Sequence, residues 1–193
     1  MTSWYWVRHG PTHAKAMIGW TDMAADLSDT AALERLADAL PDAACVVSSD
    51  LIRAKDTASA IQRDRHRLAH RSGLREMNYG EWEGLGFTQI NERAPALARK
   101  FWETPGKAAP PGGESWNRFA ARIAAEIEAI STEHPETPMI AVAHFGVILA
   151  ALQHATKMPA RHIFTFKIDN LSVTRLDLLP GGKWRVGGVN HLP

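Results

Sequence analysis

The sequence holds a single cysteine, Cys45, so it can form neither an internal disulfide nor a zinc site built from several cysteines. Lysine and arginine nowhere gather into a run, and 22 of them stand against 21 Asp and Glu, for a net charge of +1. That balance gives no basis for a nucleic-acid or membrane surface. No stretch reaches the roughly 18 apolar residues that a membrane helix requires. Among the nine histidines there is no metal-ligand spacing such as His-Glu-x-x-His, and no metal is expected. His13, His66, His70, His134, His154, His162 and His191 are assigned to surface or packing roles, with His13 near the chemistry described below. There is also no internal repeat, low-complexity tract or linker. The expectation is one domain over residues 1–193 in the cytoplasm, since the first basic motif begins at Arg8 and leaves no room for a cleavable leader.

What is present is an ordinary globular composition, 45% apolar and 22% charged. Trp4-Tyr5-Trp6-Val7 is β-prone and stops at the turn-like Arg8-His9-Gly10-Pro11. Leu33, Leu36, Ala37 and Leu40 recur at helical spacing, which predicts a helix over Thr30 to Leu40. Ala43 to Ser48 reads as a buried strand in which Cys45 is a small hydrophobe. Asp50 is the expected N-cap of a helix through Gln62. Tyr79 to Gly84 and the Pro-Gly-rich stretch Thr104 to Gly113 read as loops, followed by a long amphipathic helix over Glu114 to Thr132. Met139 to Ala143 is a further buried strand, and helical character resumes at Phe145 to Ala155. Leu171 to Leu178 and Trp184 to Val189 are expected strands around the turn Pro180-Gly181-Gly182. Buried strands alternating with helices predict a three-layer α/β/α sandwich around a mostly parallel sheet, with any ligand at the carboxyl ends of the strands.

Those strand ends carry the chemistry. The first delivers Arg8 and His9, the second is followed by Arg53, and the third ends at His144. If the strands are neighbours, two guanidiniums and two imidazoles meet in one crevice. Three or four donors suit the three equatorial oxygens of a phosphoryl group better than a carboxylate. With Asp50 as N-cap, Arg53 falls at the third helical position, so the first-turn N–H groups would face the same anion, and the helix after His144 offers a second positive end. A nearby arginine depresses an imidazole pKa and keeps the ring neutral, as a nucleophile must be. The leaving oxygen still needs a proton. Glu76, Glu81 and Glu83 lie together after Leu74 as candidates for the general acid.

These motifs resemble the histidine phosphatase superfamily, in the branch that also holds the cofactor-dependent phosphoglycerate mutases. The resemblance rests on Val7-Arg8-His9-Gly10 with Thr12, on Ser48-Ser49-Asp50-Leu51-Ile52-Arg53-Ala54 with Thr57-Ala58, and on Leu74-Arg75-Glu76 with Tyr79-Gly80 and Trp82-Glu83-Gly84. Ala143-His144 with Gly146, Gly19-Trp20-Thr21-Asp22 and Pro111-Gly112-Gly113-Glu114-Ser115 complete it, in family order over roughly residues 4 to 150. It implies a phosphoglycerate mutase-like fold in which His9 is the nucleophile and Arg8, Arg53 and His144 hold the phosphoryl oxygens. Glu76 would donate to the leaving group and then activate water, Thr12 would support the substrate site, and no cofactor is needed for hydrolysis. The implied substrate is a small phosphate ester. Two positions depart from the pattern: Pro11 stands where many members carry Glu or Gln, and Phe145 where Gly is common.

Two other function classes share these motifs. A mutase of this family carries a lysine after the acid loop and a paired-arginine insert, whereas this chain has Phe87 near the first place and Ala108-Ala109-Pro110-Pro111 at the second. A non-catalytic phospholigand module on the same fold is the third class, and the full set of His9, Arg8, Arg53, Glu76 and His144 speaks against it. Trp20, Trp82 and Trp116 are candidates to line an apolar leaving-group pocket.

Overall fold

Successive side chains of a strand face opposite sides of a sheet, so an all-apolar strand such as Trp4 to Val7 needs cover on both. The computed structural model describes residues 1–193 and supplies that cover. Its strands are β1 (Thr2–Arg8), β2 (Cys45–Ser48), β3 (Met139–Ala143), β4 (Val173–Leu178) and β5 (Trp184–His191), in one sheet of order β2-β3-β1-β4-β5. Strands β2, β3 and β1 pair in parallel, and β4 and β5 add an antiparallel hairpin. Only β4 therefore runs against the other strands, and the sheet is mostly parallel as expected.

One face carries Trp4, Trp6, Met139, Ala141 and Ala143. It shares one hydrophobic core with α3 (Phe87–Arg93), α4 (Pro95–Glu103), α5 (Trp116–Glu133) and α6 (Phe145–Thr156). The other face carries Val7, Val46, Ile140 and Val142 against α1 (Thr30–Ala39) and α2 (Ile52–Ile61). A short α7 (Ala160–Ile163) follows α6. Helices on both faces of a central sheet make the three-layer sandwich that alternation predicts. No helix is long and apolar enough to cross a membrane.

The differences from expectation are local. Helices α3 and α4 occupy a stretch for which the sequence pattern predicts no element; Pro95 opens α4 at its first turn, where the missing N–H costs nothing. Asp50 does not cap α2. Its carboxylate makes a two-point pair with Arg75, at 2.8 and 2.6 Å, and the helix begins after Leu51. Helix α5 begins two residues later than expected, capped by Ser115. Cys45 is half-buried, not fully enclosed. The β4–β5 turn does use both glycines, Gly181 and Gly182, at φ of 83° and 75°.

One register matters most. Arg8 lies opposite Ala143, and the His9 N–H donates to the Ala143 carbonyl at 3.0 Å. The residues leaving β1 and β3 therefore emerge side by side.

Candidate active site

The two imidazoles that leave β1 and β3 meet edge to face, with ring centroids 5.1 Å apart. His9 is 7% exposed and His144 fully buried. His9 Nδ1 lies 2.6 Å from the Gly10 carbonyl, which only accepts, so Nδ1 carries the proton and Nε2 keeps its lone pair. The surrounding backbone is tied down: the His9 carbonyl accepts from Asn170 Nδ2 at 2.7 Å, and the Gly10 N–H donates to Thr57 Oγ1 at 3.0 Å. Arg53 Nε donates to His144 Nδ1 at 3.2 Å, which puts the proton of a neutral His144 on Nε2. That Nε2 is buried without a partner, as is Arg8 Nε. Unpartnered buried donors are costly, and these two are free to meet an anion.

Arg53, on the first turn of α2, also holds the Gly19 carbonyl at 2.6 Å and the Thr21 carbonyl at 2.9 Å. Arg8 Nη1 holds the Ile168 carbonyl at 2.6 Å, and its guanidinium lies 5.5 Å from the Phe145 ring centroid. A cavity of about 140 Å³ is lined by Arg8, His9, Thr12, Arg53, Glu76 and Phe145, with Ala14, Ala16 and Ile18 on one wall. Arg8, His9, Thr12, Arg53 and Glu76 thus meet around one cavity, and His144, which does not line it, adjoins it through Arg53 and His9.

The helix ends behave otherwise than expected. Asp22 Oδ1 accepts the Ile52 N–H at 2.7 Å, and Glu76 Oε2 accepts the Gly146 N–H at 3.0 Å. One first-turn N–H of α2 and one of α6 thus serve carboxylates of the protein, and the guanidiniums of Arg8 and Arg53 bring charge to the cavity.

Burial is the main force on the titrating groups. It pulls His9 down to about 3, opposed by the bond to Gly10 and assisted by the charges of Arg53 and then Arg8. Desolvation, more than the neighbouring arginine, keeps this ring neutral. Burial likewise holds His144 well below the usual imidazole range, with His9 and Arg53 adding to it. Glu76 moves the other way: burial raises its pKa, against its bonds to Gly146 and Met77 and the charges of Arg53 and Arg8.

The three glutamates now separate. Glu76 is 6% exposed and lines the cavity. Glu83 accepts the backbone N–H groups of Gly19 at 3.0 Å and Trp20 at 2.8 Å, and the Thr21 hydroxyl at 2.8 Å. Those bonds hold it below its ordinary pKa despite burial, and make it the anchor of the 19–21 loop. Glu81 is exposed and outside the cavity. Of the tryptophans, Trp82 and Trp116 are core residues, each 3% exposed, and Trp20 Nε1 donates to the Glu76 carbonyl at 2.9 Å. None of the three lines the cavity, which corrects the expectation of an indole-lined pocket. His13 pairs with Asp26 at 2.8 Å on the exposed loop above. Asn170 escaped sequence reasoning because it reaches His9 from a loop 161 residues away, with no local pattern to mark it.

Comparison with known proteins agrees with this geometry. The family model of the histidine phosphatase superfamily (branch 1) matches residues 4–191. A glucosyl-3-phosphoglycerate phosphatase of Mycobacterium tuberculosis is 40% identical over an alignment of 124 residues that covers 59% of this chain and 55% of that protein. The match thus spans about half of that relative's length. One of the same name from Mycolicibacterium vanbaalenii is 35% identical over an alignment of 161 residues that covers 75% of this chain and 69% of its own. The solved native structure of a mycobacterial glucosyl-3-phosphoglycerate phosphatase has a TM-score of 0.84 at 30% identity, covering 97% of this chain and 98% of its own.

Proposed function

The chain belongs to the histidine phosphatase superfamily (branch 1), and on that premise we propose that it hydrolyses a small phosphate monoester through a phosphohistidine at His9, without a metal ion. The observation that carries this reading is the tautomer of His9. With Nδ1–H committed to the Gly10 carbonyl, Nε2 is a neutral nucleophile beside Arg8 and Arg53. Phosphoryl transfer asks a protein mainly for positioning and charge stabilisation.

In the first step, the Nε2 lone pair forms the N–P bond while the bond from phosphorus to the ester oxygen breaks. Arg8, Arg53 and His144 Nε2–H stabilise the equatorial oxygens. Glu76, whose pKa burial raises, gives a proton to the departing oxygen, so an alcohol leaves. In the second step, the Glu76 carboxylate takes a proton from water as the water oxygen attacks phosphorus. The N–P bond breaks, and orthophosphate leaves with His9 neutral again. Two guanidiniums supply the positive charge that a metal would otherwise bring.

The substrate class is a small phosphorylated metabolite. A cavity of about 140 Å³ has room for the phosphoryl group and the first atoms of the alcohol, and its lining adds the apolar Ala14, Ala16, Ile18 and Phe145 to the charged groups. Phosphoglycerate esters, the chemistry in the names of the relatives, are the first to try. We further assign the 193 residues to one domain, and its place to the cytoplasm, where a single unpaired cysteine suits the reducing conditions. The test is orthophosphate release from a panel of small phosphomonoesters in a strong chelator. Turnover of at least one ester at an unchanged rate is expected. A rate lost on chelation and restored by a divalent ion would overturn the metal-free reading.

A further inference from the structure

Arg122 and Glu114 have no part in the chemistry above, yet together they hold the segment that carries Glu76. Arg122 projects from α5. Its Nη1 donates to the carbonyls of Gly73 at 2.8 Å and Arg75 at 3.0 Å, and its Nη2 to the Glu76 carbonyl at 3.2 Å. Its Nε and Nη2 also reach Glu114 Oε1 at 2.9 Å and Oε2 at 2.7 Å. Glu114 extends the grip past Glu76: its Oε2 accepts the Asn78 N–H at 3.0 Å, and its own N–H donates to the Asn78 carbonyl at 2.9 Å. A guanidinium offers five N–H donors in a rigid fork, and here five contacts use them. Lysine, with a point charge and three rotatable donors, cannot reproduce that pattern.

The hydrogen bonds of this fork stay on the acid's segment and Glu114, while the charge of Arg122 also helps to hold the His144 pKa down, which Arg122→Lys would preserve. Arg8, His9, Arg53 and His144 hang from β1, α2 and β3, and none of them shares a hydrogen bond with Arg122. We propose that Arg122, braced by Glu114, is the positioning residue for the general acid: it fixes the backbone on both sides of Glu76 so that the carboxyl meets the leaving oxygen. It does not touch the substrate. The proposal rests on the phosphatase reading above and adds to it the device that holds the acid in place. Misplacement of a reacting group by about 1 Å costs on the order of 10²-fold in rate.

The test compares the pre-steady-state burst with an alkyl phosphate, whose oxygen needs a proton, and with p-nitrophenyl phosphate, whose phenolate leaves without one. In Arg122→Gln the alkyl burst should fall by about 10²-fold. The p-nitrophenyl burst and the affinity for vanadate should stay close to wild type. Arg122→Lys should behave like Arg122→Gln, because the fork and not the charge is what the segment needs. Glu114→Gln should show the same selectivity with a smaller loss, and it carries the test if the Arg122 variants fail to fold. Equal losses on both esters, or no loss on either, would overturn the proposal while leaving the phosphatase reading intact. A wild type that turns over neither ester nor any other small phosphomonoester would overturn that reading, and this proposal with it.

Discussion

Arg53 donates its Nε–H to His144 Nδ1 at 3.2 Å, and this one contact sets the tautomer of the second imidazole. It leaves the unpartnered Nε2–H as a neutral donor beside the nucleophilic ring. Arg53→Lys keeps a positive charge but loses that donor and the grip on the Gly19 and Thr21 carbonyls. We expect kcat to fall by about 10²–10³-fold, the range for losing one transition-state donor, together with weaker vanadate inhibition. An Arg53→Lys variant within a few fold of wild type in both would show that charge alone suffices.

Gly146 is the second place where close contact carries chemistry. Its N–H meets Glu76 Oε2, and a Cβ there would press against Glu76 Oε1 and lie 3.3 Å from the Phe119 ring. Alanine is a better helix former than glycine, so Gly146→Ala should keep α6 intact while displacing the acid. The expected result is a fall of about 10²-fold in alkyl phosphate turnover at near-normal thermal stability. Loss of stability without ester selectivity would mean that the residue serves packing alone.

Much of this site is legible in the sequence, because its parts sit at places that local pattern marks. Arg8-His9 and His144 end apolar runs, and a strand end in an α/β sheet is where ligands bind. Arg53 is found for a partly wrong reason. Asp50 has the chemistry of an N-cap, but Arg75, 25 residues away, takes its carboxylate, and no local rule registers that competition. The same limit hides which glutamate is buried. Glu76, Glu81 and Glu83 are equivalent in composition and differ only in what long-range packing brings to them: the Gly146 N–H, solvent, and the 19–21 loop. Helices α3 and α4 escape for a gentler reason, since both are short and each buries only one or two side chains, Ile90 on α3 and Ala98 and Phe101 on α4.

The opposed shifts of His9 and Glu76 fix the sign of the pH dependence. His9 reaches its neutral, nucleophilic form above about 3 and sets no limb near neutrality. Glu76 acts first as an acid, so its working form is the protonated one, and burial raises the pH at which that form is lost. The alkyl phosphate burst should therefore fall as pH rises through the raised Glu76 value. In Glu76→Gln the burst should drop by roughly 10²–10⁴-fold, and that alkaline limb should vanish. A limb of unchanged position in the variant would assign it to another group. Glu81→Gln and Glu83→Gln serve as controls, and neither should remove it.

The most direct measurement is rapid-quench labelling with a phosphoryl-labelled ester in the wild type and in His9→Ala. Protein-bound phosphate that is labile in acid and stable in base should appear in the wild type, in a burst before steady turnover, and be absent from His9→Ala, which should still fold because only a side chain at the cavity wall is lost. Label on a different residue, no label during active turnover, or His9→Ala turnover within tenfold of wild type would each contradict a covalent phosphohistidine at His9.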